Sequence, residues 1–321
     1  MPLSATSDPR RGAGVALCLV SACGFGLMAI FAKQAYAAGL GMTALLAARF
    51  VLAACLLWAL VAVRARRAAG AGGAARAHPR PARRVVVATL ALGAIGYAAE
   101  AGLFFSALRH IDASLTSLLL YTYPALVFCG AVALRREHLT AWKALPLALA
   151  SAGAALVLLG GGSGGLEATG VLLALGAGVS YAIYILVAED VVRRIDPILL
   201  GAFVATGAAV TFLLAGVIGG ALQFTAAGWL WIAVIATLST VLPIVTFTLG
   251  MERVGASTAS IVSTVEPVVT VSLAVMLYGD TLGPLQGLGG ALVLAAVIAL
   301  QTRGLRALPA ARPALAHESL R

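Results

Sequence analysis

The chain has 321 residues, 61% of them hydrophobic and 11% charged, with a mean hydropathy of +1.02 and a net charge of +10. Soluble proteins carry about 25% charged residues, so an ordinary globular domain is excluded. Ten apolar runs can be counted, and spans of about 22 residues leave only about 100 for loops and tails, too few for a separate soluble domain.

Only helices and closed barrels satisfy their own backbone in lipid, and these runs are too long and continuous for barrel strands. The predicted spans are 12–38, 41–63, 84–108, 112–134, 141–160, 168–188, 197–219, 228–251, 255–278 and 282–302. The first follows Arg10-Arg11, as a signal peptide would. It is too long for a signal segment and has a later counterpart, so it is expected to stay uncleaved. After the second span comes the loop 64–84, with Arg64, Arg66, Arg67, Arg76, Arg80, Arg83 and Arg84. Alternate loops and both ends add Arg135, Arg136, Lys143, Arg193, Arg194, Arg253 and six arginines of the tails, placing 19 of the 22 Lys and Arg on one side. The positive-inside rule makes that side cytoplasmic, with both termini there. The basic balance is therefore a topology signal. No fold remains to present a basic face to nucleic acid.

Trp58 and Trp142 fall at cytoplasmic span ends, and Trp229 and Trp231 near an external one, where tryptophans anchor helices at the headgroups. Cys18, Cys23, Cys55 and Cys129 all lie in apolar runs, without metal-ligand spacing, and are expected as small buried hydrophobes. The glycine-rich stretch from Gly160 to Gly165 lacks the Lys-Ser/Thr of a phosphate loop and is expected as an external connector. No cofactor motif is present.

An internal repeat organises the chain. Ile111–Ala152 aligns without gaps on Val254–Ala295, 143 residues later, with about a dozen of 42 positions identical. Ala113-Ser114 matches Ala256-Ser257, Ser117 matches Ser260, Pro124 matches Pro267 and Glu137 matches Asp280. Spans 4 and 5 thus correspond to spans 9 and 10. Each half has five spans, an odd number, so the second half enters the membrane from the opposite side. The expected fold is an all-α integral membrane protein of ten transmembrane helices in two inverted-topology repeats. That architecture lets a central site face either side alternately. The divisions are a tail (1–11), a first repeat (12–160), a linker (161–167), a second repeat (168–303) and a tail (304–321).

The residues that carry a family likeness are Ala256-Ser257-Thr258-Ala259-Ser260, Val265-Glu266-Pro267-Val268-Val269 and Leu277-Tyr278-Gly279-Asp280-Thr281-Leu282. Ala113-Ser114, Tyr123-Pro124-Ala125-Leu126, Arg136-Glu137-His138-Leu139 and Ala48-Arg49-Phe50 echo them in the first half. Over about residues 12–303 the chain resembles a ten-helix EamA-type member of the drug/metabolite transporter superfamily. Asp280 stands where that family usually has Glu, a swap conservative in charge. The resemblance implies a bacterial inner-membrane exporter, nearest to the amino-acid branch, with drugs or related metabolites as other cargo.

The residues themselves suggest where cargo would sit. Pro124 and Pro267 lie near the midpoints of spans 4 and 9, where proline frees the carbonyl four residues earlier, here Leu120 and Ser263. Around them stand Tyr121, Thr122, Tyr123, Ser263, Thr264 and Glu266. The two helices are expected to line a central cavity; the alternative is a pair of packing kinks. Glu266 at that depth is expected to face a cavity or partner, as a possible proton site or an anchor for a substrate amine; a structural carboxyl beside the kink is the alternative. Arg49 and Glu100 lie roughly 12–14 Å from the external surface, so a structural ion pair between them is expected; the sharper reading gives Arg49 a substrate carboxylate. Tyr97, Phe104, Tyr181 and Tyr184 are the other deep aromatics, either packing or, with Tyr181 and Tyr184 on one helix face, the wall of a cavity suited to neutral or aromatic amino acids. Gly14, Gly24, Gly26, Gly170, Gly176 and Gly178 would let spans 1 and 6 approach their neighbours closely.

Three functions compete. The first is a secondary transporter, acting as a monomer on small zwitterionic or apolar metabolites, with protons as the possible coupling partner. The second is an intramembrane enzyme, which needs a deep acid or histidine cluster; His78, His110, His138 and His317 all lie away from the midplane. The third is a carrier of phosphorylated substrates, which wants several pocket cations where only Lys33 and Arg49 are candidates.

Overall fold

A computed structural model describes residues 9–70, 81–136, 141–160, 167–192, 195–255, 259 and 262–306. Among them every regular element is helical. The first run is α1 (Pro9–Gly26) and α2 (Met28–Ala37), separated at Leu27. Then come α3 (Met42–Gly70), α4 (Arg83–Ala91), a π-helical segment Leu92–Tyr97, and α5 (Ala98–Ala107). The fourth run divides into α6 (Ala113–Leu120) and α7 (Tyr123–Ala133), and α8 covers Ala141–Leu159. The second half holds α9 (Ala168–Val192), α10 (Pro197–Ile218), α11 (Ala226–Ala236), a second π-helical segment Thr237–Val241, α12 (Leu242–Val254), α13 (Val265–Tyr278) and α14 (Pro284–Arg306). Among the described residues, seven helical runs are long and apolar enough to cross a membrane, and Ala148–Val157, Val265–Tyr278 and Pro284–Ala299 are shorter apolar helices.

Local chemistry sets several ends. Asp196 caps α10 by accepting from the amides of Ile198 and Leu199 at 3.0 and 3.1 Å, with Pro197 preset for the first turn. Thr225 caps α11 through the Gly228 amide at 3.0 Å. Gly255 and Gly279, at φ 83° and 68°, end α12 and α13 in backbone that side-chain-bearing residues avoid. One boundary differs from expectation. Arg64, Arg66 and Arg67 are not in a loop but on α3, which runs on to Gly70. Alanine and arginine are strong helix formers, so the helix continues past its apolar stretch.

The halves pack through a regular set of pairs. α3 lies along α10, α8 along α14, and α6 against α13. α1 packs on α12, while α5 and the first π segment pack on α9. The main core cluster includes the fully buried Leu45, Leu46, Phe50, Phe105 and Ile235. Outward faces carry bare Ile95, Leu172, Val217, Ile218 and Met276, a surface suited to hydrocarbon. The cysteine expectation is corrected: only Cys18 is buried, and Cys23, Cys55 and Cys129 face outward. Helices apolar on every side give the sequence no marker of which face turns in.

Candidate functional site

A cavity of about 110 Å³ lies between helices of both halves. Of the residues singled out in the sequence, Arg49, Tyr97, Glu100, Phe104, Ser117, Leu120, Tyr121, Tyr123, Tyr181 and Glu266 line it. In the 143-residue register Glu266 is the equivalent of Tyr123, so the same position of each half reaches the cavity.

Helix breaks bring polar groups here. The fourth run is interrupted at Tyr121–Thr122, and Thr264 is the matching turn before α13. Pro124 and Pro267 follow these turns and sit in the first turns of α7 and α13, where an amide would have no intrahelical acceptor. The freed Ser263 carbonyl accepts from the Tyr121 hydroxyl at 3.2 Å. Ser263 thus acts through its backbone and is not itself on the cavity wall. The same tyrosine hydroxyl lies beside the Glu266 carboxyl. The Leu120 carbonyl faces Gly178, where a Cβ would stand 3.4 Å from it. Glu266 occupies the first turn of α13, where the helix dipole favours an acidic group.

Arg49 is the most enclosed charge, with 1% of its surface exposed. Its Nε donates to Thr240 Oγ1 at 3.0 Å. Thr240 belongs to the second π segment and its own hydroxyl donates to the Ile235 carbonyl at 2.9 Å. The guanidinium lies over Phe50 at 4.7 Å and Phe105 at 5.1 Å. Nη1 is buried with no hydrogen-bond partner. The expected ion pair with Glu100 is not a direct contact. Among the described residues the pairs within 4.0 Å are Lys33–Asp112 at 3.6 Å and His110–Glu167 at 2.6 Å. Arg49 and Glu100 both line the cavity and act on each other electrostatically without closing to an ion pair.

The tyrosines form a connected wall. Tyr123 meets Tyr181 edge-on at 4.6 Å, Tyr121 lies 5.8 Å from Tyr123, and Tyr184 bridges Tyr181 and Tyr97 at 6.0 and 5.8 Å. Tyr184 stands behind Gly96, outside the cavity lining. Phe25, Met28 and Ala29, at the break between α1 and α2, line the cavity and were not anticipated. Their sequence signal is the neighbouring Gly24 and Gly26. A Cβ on Gly26 would come within 2.8 Å of the Glu266 carbonyl oxygen, so glycine alone allows this approach. Thr270 then donates to the Gly26 carbonyl at 2.8 Å.

Beyond the cavity, Asp280 joins the halves. Its Oδ2 accepts from the Ser114 hydroxyl at 3.0 Å and the Ser114 amide at 3.3 Å. It thereby caps α6 from the other half. Asp112, the residue in the capping position of that helix, makes no side-chain cap and pairs with Lys33 instead. The repeat partner Glu137 and the Ser257 matched to Ser114 lie outside the described residues, as does Ser260.

Comparison with known proteins agrees with this architecture. The EamA-like transporter family matches twice, at residues 12–159 and 168–302. An uncharacterised transporter of Bacillus subtilis, YcbK, is 26% identical over 316 residues, covering 92% of this chain and 95% of its own. The threonine/homoserine exporter RhtA of Escherichia coli K12 is 33% identical over 135 residues, 40% of this chain and 44% of the exporter. One crystal structure superposes with a TM-score of 0.61 at 18% identity, covering 92% of this chain and 98% of that one, a likeness of fold. The chain belongs to the EamA-like transporter family, within the drug/metabolite transporter superfamily.

Proposed function

We propose that this protein exports small neutral amino acids and related metabolites across the bacterial inner membrane by alternating access around the central cavity. The observation that carries this reading is the cavity's charge set: one guanidinium and two carboxyls within an enclosure of aromatic, aliphatic and hydroxyl side chains. A zwitterion supplies the complement to both signs. If both Glu100 and Glu266 are ionised, the three groups leave one excess negative charge, and one bound proton would balance it. That count leaves room for one coupled proton, which we place on Glu266, beside the Tyr121 hydroxyl.

The mechanism rests on ten spans in two inverted repeats with both termini cytoplasmic. Support comes from how the halves pair. Numbering the rods of each half one to five, the pairs second–second, fourth–fourth and fifth–fifth join equivalents, and first–third is answered by third–first. The two π segments also fall in equivalent third rods. A pseudo-two-fold relation of this kind makes two access states near equivalents, related by rotation about an axis in the membrane plane. The protein is proposed to act as a monomer, without a cofactor.

Size narrows the cargo. An engineered cavity of about 150 Å³ holds benzene. At about 110 Å³, this cavity suits alanine, serine or threonine before an aromatic amino acid. The amino-acid reading also draws on the RhtA relative, described as a threonine/homoserine exporter. Phosphorylated metabolites are the weaker alternative, because two carboxyls in the lining oppose a phosphate. Drug-sized cations remain an alternative of the same fold, disfavoured by the buried arginine.

The test is counterflow of radiolabelled alanine, threonine and tryptophan into liposomes holding the purified protein. Alanine and threonine should exchange and tryptophan should lag. Glu266→Gln should keep exchange and lose its response to a pH gradient. No counterflow of any amino acid by folded protein would overturn the proposal.

A further inference from the structure

We infer that Arg49 is the receptor for a ligand carboxylate in this cavity and that Thr240 is the residue that positions it. The inference rests on reading the cavity as the substrate site, and it adds a requirement: the cargo must carry a carboxylate.

The guanidinium is held by several neighbours. It lies over the rings of Phe50 and Phe105. Its Nε is occupied by Thr240 Oγ1. That hydroxyl has only one proton, already given to the Ile235 carbonyl, so its lone pair is what meets Arg49. Nη1 keeps its donors without an acceptor although the side chain is almost wholly buried. A buried donor left unpaired is costly, and a charged one more so. Tyr97 stands within hydrogen-bonding reach of the guanidinium, and Glu100 acts on it electrostatically without closing to an ion pair. The planar guanidinium presents donors that match a carboxylate, and the two carboxyls of the lining oppose a phosphate.

Thr240 belongs to the second half and Arg49 to the first. The i→i−5 pattern of the π segment is what lets the Thr240 hydroxyl reach the Ile235 carbonyl while facing α3. A bound carboxylate would therefore be tied to both halves through one chain, from ligand to Arg49 to Thr240. Thr240 acts through Arg49 and is a positioning residue.

The experiment measures thermal stabilisation of the purified protein by three probes: alanine, lactate, which lacks the amine, and alaninamide, which lacks the carboxylate. Alanine and lactate should stabilise, with alaninamide about ten- to a hundredfold weaker, the loss expected for one hydrogen bond to a charged group. Thr240→Val should weaken alanine and lactate about tenfold and raise the exchange KM far more than it lowers kcat. Thr240→Ser should restore both. Arg49→Lys should lose the preference for carboxylates. Alaninamide binding as tightly as alanine, no stabilisation by either carboxylate, or Thr240→Val with an unchanged KM would each overturn the inference. If lactate binds in an Arg49-dependent way while alanine is not exchanged, the amino-acid reading falls and this inference stands.

Discussion

Asp280 should hold α6 and α13 together, and the strength of that link can be worked out. Ala substitution removes the acceptor of both the Ser114 amide and the Ser114 hydroxyl, at 3.3 and 3.0 Å. Losing a capping side chain costs about 0.5–2 kcal/mol. Removing an acidic group from a helix N-terminus costs about 0.3–1 kcal/mol more. Asp280→Ala should therefore destabilise by about 1–3 kcal/mol. Ser114→Ala loses only the hydroxyl, so it should cost about 0.5–1.5 kcal/mol. The assay is a double-mutant cycle by denaturant unfolding in detergent micelles. Because the hydroxyl bond is shared, the double mutant should cost at least about 0.5 kcal/mol less than the sum. Strict additivity, or a neutral Asp280→Ala, would refute the reasoning, since it would mean that the cap in trans carries no energy.

Other substitutions test the cavity wall and its surroundings. Tyr121→Phe removes the donor to the Ser263 carbonyl and should cost about 1–3 kcal/mol in unfolding measurements, because a buried acceptor is left bare. Gly26→Ala places a methyl 2.8 Å from the Glu266 carbonyl oxygen and 2.9 Å from Val269 Cβ. It should destabilise by about 1–3 kcal/mol and slow exchange, as measured by unfolding and counterflow, because closely packed helices must shift. Lys33→Gln should change stability by less than about 1 kcal/mol, since its partner Asp112 is 65% exposed.

Much of this was legible in the sequence, and the gaps have physical causes. Depth along a helix is a one-dimensional quantity, so chain position placed Arg49, Glu100 and Glu266 at the level of a cavity. Rotation about the helix is a second coordinate, and the apolar surroundings left it unmarked. That is why the Arg49–Glu100 pair was expected where Arg49 in fact meets Thr240. The prolines marked the breaks in the fourth run and before α13. The π segments carry no proline and left no trace in the hydropathy pattern, so the third and eighth runs read as uninterrupted. Phe25 and Met28 were missed because their own types look like ordinary core; only the flanking glycines hint at a close approach. Asp280 was visible as the match to Glu137, whereas its role as a cap on the other half needed the packing of α6 on α13.

The central claim, that one cavity is reached from either side of the membrane in turn, is tested most directly by accessibility. Ser117 lines the cavity and is almost fully buried. In a variant with Cys18, Cys23, Cys55 and Cys129 replaced by alanine, Ser117→Cys would be exposed to a small impermeant thiol reagent in right-side-out and inside-out vesicles. Alternating access predicts labelling from both sides, slowed by millimolar alanine in each orientation. Labelling from one side alone, with no protection by alanine, would contradict the account.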